Sequence, residues 1–281
     1  MKTRQTLALC LICIGGTAAA ECASDAQIDA YVADYTSNTP AKALAAGGSM
    51  DDALCTQAKL VKALTAHMGP VVGYKAGLTS KPAQERFGVT EPVQGVLFRD
   101  MMLQDGAEVP EKWGARPVFE ADLLLVVGSG AINDATTAEE AMPYISAVRP
   151  FIELPDLSVA EGEPITGVTL TASAVAPKLG VMGAEIPVGD PGAMYTALGT
   201  MMVTLSAADG EVLAQAPGEA VLGHPVNSAI WLMSKGIALK PGDLVSVGSF
   251  GPLVPPVKGK GGASVQYSGL PGDPTVSVTF K

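Results

Sequence analysis

Residues 117–127 read PVFEADLLLVV, and they place Glu120 and Asp122 two apart at the head of an otherwise apolar run. Side chains alternate along an extended chain, so the two acids share a face with Leu124 and Val126, a face that points toward an interior. A buried carboxylate costs several kcal/mol unless a cation or hydrogen bonds compensate it, so an acidic pair entering a buried strand predicts a bound metal ion. A third acid, Glu153 in PFIELPD, stands in a similarly apolar setting. The chain has two histidines, so such an ion rests on oxygen ligands. Three carboxylates with water favour Mg²⁺ or Mn²⁺ over Zn²⁺ or Cu²⁺.

Outward from this strand the pattern is α+β. AQIDAYVADYTSN spaces Ile28, Tyr31, Val32 and Tyr35 as a helix does, and ALCTQAKLVKALTAHM repeats the pattern with Leu54, Ala58, Val61 and Leu64. Ser49 or Asp51 is the candidate N-cap of the second helix. VVGYKAGLT predicts a strand, KPAQERFGV a short helix or turn, and GVLFRDMML a further extended piece. From about residue 108 short apolar strands follow one another, among them TGVTLTAS, LGTMMVTLSAADGEVLAQA, GDLVSVGSF and TVSVTFK. One helix interrupts them, starting at Pro225 and ending before Lys240. The expected organisation is a helical N-terminal region with the first strands over 21–107 and a β-rich domain over 108–281.

The start of the chain, with Lys2, Arg4, the apolar run Leu7–Ile14 and Ala18–Ala20, reads as a secretory signal cleaved after Ala20, which predicts an exported, periplasmic protein. The apolar run is far short of a membrane span. No lipid anchor is expected. Cleavage leaves Cys22 and Cys55 as the only thiols; as a disulfide they would contribute about 3 to 4 kcal/mol by loop closure. The net charge of −10 becomes −12 without Lys2 and Arg4, which excludes nucleic acid and anionic membrane surfaces as natural partners.

Lys75 lies between Gly73 and Gly77, glycines that would let another backbone or a ligand approach closely. His67 ends a helix and His224 precedes Pro225; both read as structural, and neither builds a Ser-His-Asp arrangement. No dinucleotide fingerprint or phosphate loop occurs, and GKGG at 259–262 reads as a turn.

Taken in order, GYKAGLTS (73–80), GVLFRDM (95–101), PVFEADLLLVV (117–127), PFIELPD (150–156), GHPVNSAIWL (223–232) and KPGDLVSVGSFGP (240–252) resemble the 2-keto-4-pentenoate hydratase branch of the fumarylacetoacetate hydrolase superfamily. The resemblance runs from about residue 25 to the C-terminus. It implies a mixed, β-rich C-terminal domain with a small helical N-terminal region, and a lyase of aromatic degradation that adds water to a 2-hydroxy-2,4-dienoate after ketonisation. It also implies a divalent metal on Glu120, Asp122 and Glu153, Lys75 beside the substrate, and Ser173 near the substrate carboxylate. Lys75 is the leading candidate for proton transfer and Asp100 the second. The expected partner is a small 2-oxo acid, bound by a homo-oligomer. A 2-oxo acid offers carboxylate and keto oxygens to one ion, which favours the enolate. The alternatives are a 4-oxalocrotonate-type decarboxylase and an exported 2-oxo-acid-binding protein without turnover. C–C bond hydrolysis would need a Glu-His pair that neither histidine supplies. Two departures stand out: Asp122 replaces the usual Glu, and Leu170-Thr171-Ala172-Ser173 replaces Asp-Asn-Ala-Ser.

Overall fold

The computed structural model describes residues 21–281. Its helices are α1 (Asp25–Thr36), α2 (Met50–Met68), α3 (Lys81–Arg86), α4 (Ala138–Ala141), α5 (Gly167–Ala172), α6 (Pro191–Thr200) and α7 (Asn227–Ser234). The strands up to the first sheet's middle are β1 (Val71–Gly77), β2 (Val93–Phe98), β3 (Met102–Gln104), β4 (Ala107–Val109), β5 (Glu120–Val127), β6 (Ile145–Leu154) and β7 (Leu179–Met182). The later ones are β8 (Ile186–Pro187), β9 (Met202–Ala207), β10 (Val212–Pro217), β11 (Leu244–Ser246), β12 (Gly262–Ser268) and β13 (Thr275–Phe280).

One sheet runs β2-β1-β11-β5-β6-β7-β3, with β8 against β6; the other runs β10-β9-β12-β13-β4. The alternation read from PVFEADLLLVV separates the two faces of β5. Leu123, Leu125 and Val127 point into a core shared with Val265, Tyr267 and Val276 of the second sheet. Leu124, with Phe151 of β6, points into a second core closed by Ile28, Tyr31, Leu60 and Leu64 of α1 and α2. The acidic pair therefore opens on the helical side of the sheet. β1 and β2 pair into the same sheet as β5 and β6, so the boundary expected at 107/108 runs through continuous hydrogen bonding.

Local chemistry explains the elements. Ser24 and Ser49 each close a capping box at the start of α1 and α2. The second helix buries Ala53, Thr56, Gln57, Leu60 and Leu64, a face rotated from the expected Leu54, Ala58 and Val61. Polar side chains on that face are satisfied: the Gln57 amide donates to the carbonyls of Gln94 (2.8 Å) and Thr171 (2.6 Å), and Thr56 accepts from Ala23 N (2.9 Å). Cys22 and Cys55 are paired, with Cα atoms 5.3 Å apart, tying the start of the described chain to α2.

TGVTLTAS, expected as a strand, is helix α5. Thr166 caps it and the Thr171 hydroxyl donates back to Gly167 O (2.8 Å), so the threonines satisfy helical backbone groups instead of a ladder. Helix α6 is also absent from the sequence reading, and α7 covers only Asn227–Ser234 of the longer helix expected there. Among the described residues no helix is long and apolar enough to cross a membrane.

Candidate active site

Four neighbouring strands build the site. In β6, Glu153 lies opposite Glu120 of β5; in β11, Ser246 lies between Lys75 of β1 and Leu124 of β5. Three strand intervals at about 4.8 Å hold β1 and β6 roughly 14 Å apart, and the long side chains of Lys75 and Glu153 bridge β11 and β5 to form a buried ion pair at Glu153 Oε1. Lys75 Nζ also donates to the carbonyl of Val175 at 2.9 Å.

Of the glycines flanking Lys75, Gly73 admits another backbone, as its pattern suggested, while Gly77 admits a side chain. A Cβ at Gly73 would collide with the Leu244 carbonyl of β11, and one at Gly77 would meet Val175 Cγ1 at 2.6 Å.

Lys75, Glu153, Asp122 and Glu120 are all buried, with Asp122 at 0% exposure and Glu120 the most open at 9%. Asp122 accepts from Ser246 Oγ, from Gly248 N at 3.0 Å and from its neighbour Leu123 N at 2.5 Å. Burial, reinforced by the charge of Glu153, still pushes its carboxyl up to about 7. Burial likewise raises Glu120 well above the ordinary carboxylate range, again with Glu153 adding to the effect. Behind them the Tyr267 hydroxyl accepts from Phe151 N (3.0 Å) and abuts the carbonyls of Asp122 and Phe151, joining the second sheet to this one.

Three buried carboxylates thus face one ammonium. When all three acids are ionised, their excess of two negative charges over Lys75 matches a divalent cation, and an all-oxygen donor set suits a hard one. Among the described residues no three acidic, histidine or cysteine side chains already close around a point as a ligand set. Lys75 on Glu153, and Ser246 with Gly248 on Asp122, are the contacts that hold the acids in their present places.

Ser173 caps the C-terminal end of α5 on this side of the sheet, 9% exposed, with its hydroxyl donating to Leu170 O at 3.0 Å. The buried Tyr31 phenol lies against Ser173 and Ser158 and is pushed up to about 12 by desolvation. Asp100 is placed elsewhere: about half of its side chain is exposed, and it pairs with Arg99 at 2.7 Å, which lowers its carboxyl pKa. His224 has both ring nitrogens engaged by backbone, Nε2 with Tyr195 O (3.0 Å) and Nδ1 accepting from Val226 N (3.2 Å), as a structural residue should. Ser246 and Gly248 escaped the sequence reading, although a lone serine alternating with valines in LVSVG carries the same signal as the acids of β5.

The family model for the fumarylacetoacetate (FAA) hydrolase C-terminal domain matches residues 60–270. The chain belongs to the fumarylacetoacetate hydrolase family. It is 31% identical to 2-keto-4-pentenoate hydratase 1 of Dechloromonas aromatica over 83% of this chain and 88% of that one. It is 32% identical to 2-keto-4-pentenoate hydratase of Burkholderia vietnamiensis over 71% and 75%. A solved structure of 4-oxalocrotonate decarboxylase from Pseudomonas putida, complexed with magnesium and adipate, superposes with a TM-score of 0.76 at 22% identity, covering 91% of this chain and 96% of that one. The chain is an enzyme of the hydro-lyase type.

The same kinship overturns one expectation. The chain aligns over most of its length with hydratases, and the reading of an exported, periplasmic protein cleaved after Ala20 does not stand beside that kinship. That reading rests on Lys2 and Arg4, the eight-residue apolar run Leu7–Ile14, at the short end of what a leader needs, and Ala18–Ala20, all within residues 1–20, outside the described residues.

Proposed function

We propose that the protein is a divalent-metal-dependent hydratase that adds water to a 2-hydroxy-2,4-dienoate, with Glu120, Asp122 and Glu153 as the metal ligands and Mg²⁺ or Mn²⁺ as the ion. The observation that carries this reading is the buried excess of acid over base on this face of the sheet, beside a single buried lysine. The hydratase relatives support the reaction class. When bound, the ion supplies Lewis-acid polarisation of the substrate's 2-oxo group.

The chain's own residues supply the rest. Ser173, at the open end of α5, offers its hydroxyl to the substrate carboxylate. Lys75 handles protons at Nζ: the 2-hydroxyl proton leaves and one arrives at C5, which moves the double bond to C3–C4 next to the keto group. Water then adds its oxygen at C4 and a proton at C3, giving a 4-hydroxy-2-oxo acid. Burial of Lys75 keeps its amine from exchanging protons with bulk water, so that transfer runs to the substrate.

The test is purified protein loaded with Mg²⁺ or Mn²⁺ and given 2-hydroxypenta-2,4-dienoate, with loss of dienol absorbance as the readout. Persistence of the dienol, with carbon dioxide released from 4-oxalocrotonate instead, would replace hydration by decarboxylation at the same site.

A further inference from the structure

Ala174, Val175 and Ala176 all have left-handed backbones, with φ of 57°, 61° and 55°. The other non-glycine residues with positive φ among the described residues occur singly. A β-branched residue in this region is uncommon, and three successive residues there persist only where surroundings dictate it. The surroundings here are specific. Val175 N donates to Leu170 O (2.8 Å) and Ala176 N to Ser173 O (3.2 Å), winding the chain back onto the end of α5. Ala176 O then accepts from Asp156 N (3.2 Å), joining the turn to the segment after β6. The underside of the turn rests on positions without side chains. A Cβ at Gly95 would strike the Ala174 carbonyl, meet Val175 Cβ at 2.8 Å and Lys75 Cγ at 2.9 Å; one at Gly77 would meet Val175 Cγ1.

The turn also presents the Val175 carbonyl outward, and it accepts from Lys75 Nζ. We propose that the left-handed turn Ala174–Ala176, seated on Gly77 and Gly95, is a positioning element that fixes the Lys75 amine where it serves the substrate, with Val175 and Gly95 as positioning residues. Without the turn a lysine side chain keeps four rotatable bonds and a single partner, Glu153. With it, Nζ is held from two directions, and Ser173, the residue before the turn, is set by the same backbone. A right-handed path through 174–176 would turn the Val175 carbonyl away from β1. The role in catalysis rests on the hydratase reading above; the hold on Lys75 does not.

Gly95→Ala is the direct test, made in the Mg²⁺-loaded full chain. Misplacement of a reacting group by about 1 Å can cost about 100-fold in rate, so kcat for 2-hydroxypenta-2,4-dienoate is expected to fall by that order, with KM and the Mg²⁺ Kd each within about threefold. Reductive methylation of Lys75, followed by peptide mass spectrometry, should run about fivefold faster or more than in the wild type, because a released amine reaches solvent more often. Val175→Gly adds no atoms and so cannot fail by crowding. Freeing the backbone should lower kcat about tenfold, and Val175→Ala, which empties similar space but restrains φ and ψ, should recover most of it. A folded Gly95→Ala protein with wild-type kcat and unchanged Lys75 labelling overturns the proposal, and so does an equal loss in Val175→Gly and Val175→Ala. A wild-type protein with no dienoate turnover removes the hydratase reading instead, and the labelling comparison then decides the turn's hold on Lys75 alone.

Discussion

Lys75→Met removes the one cation from the buried face while keeping most of its volume. Lys75 and Glu153 are 3% and 1% exposed, so water cannot take over the lost partner. Deleting one member of a buried pair costs about 3–5 kcal/mol, because the surviving charge is left uncompensated. For a chain of this size each kcal/mol corresponds to roughly 2–4 °C in Tm, so the metal-free variant should melt about 6–20 °C below the wild type. The size of that gap should depend on metal. A divalent cation among Glu120, Asp122 and Glu153 compensates the same carboxylates, so saturating Mg²⁺ should recover at least half of the difference. Thermal unfolding of both proteins in EDTA and in Mg²⁺ reads all four values. Equal Tm values in EDTA, or Mg²⁺ raising both proteins by the same amount, would refute the charge accounting on which the site is built.

Glu120→Ala should abolish divalent-metal binding in calorimetry while the protein stays folded, since it takes away one of three mutually repelling carboxylates whose ionisation burial already opposes; unchanged binding would remove Glu120 from the ligand set. Ser246→Ala strips the hydroxyl that holds Asp122 Oδ2 and should weaken Mg²⁺ binding about tenfold or more, as loss of a ligand's own hydrogen-bond partner typically does. The His224 pKa is lowered by burial, with its stacked neighbour Tyr195 at 4.1 Å and no acid among its hydrogen-bond partners. Its neutral form is the folded one, so its contribution is complete above the unfolded value of 6.5 and is lost as pH falls below it; His224→Gln should flatten the acid side of a stability profile between pH 7 and 5. Thiol titration of the unfolded, unreduced full chain should find only Cys10 and Cys13 free, and four free thiols would show that Cys22 and Cys55 are only in contact.

What the sequence disclosed follows from the range over which each signal acts. Period-two alternation made β5 and β13 legible, and the candidate cap at Ser49 made the start of α2 legible, because both signals lie within a few residues of the element they define. Helix α5 was misread for the same reason. Val168 and Leu170 alternate with threonines as a strand would, and only packing against α2, where Gln57 takes the Thr171 carbonyl, favours the helix. The rotated face of α2 has the same origin: hydropathy alone does not show that Thr56 and Gln57 find partners on Ala23, Gln94 and Thr171.

The site divides along a different line. Its acids were legible because a carboxylate on an apolar strand is costly wherever the strand goes, so Glu120, Asp122 and Glu153 announce themselves before any partner is known. Asp100 carries no such cost; in GVLFRDM it is followed by Met101 but preceded by Arg99, and a neighbouring arginine is all that an exposed acid requires. Lys75 was legible through its glycines, though what they admit was not. Gly73 receives the Leu244 carbonyl of β11 and Gly77 receives Val175, from segments about 170 and 100 residues away in sequence. The chemistry of this face is thus written in two ways. Charge is written locally, in the strand acids, while the position of the one basic group is written in absences of side chain at Gly77 and Gly95, which acquire meaning only when the turn at 174–176 lands on them. Substitutions that leave every charged residue intact can therefore disable the site, and Gly95 is where that should first be seen.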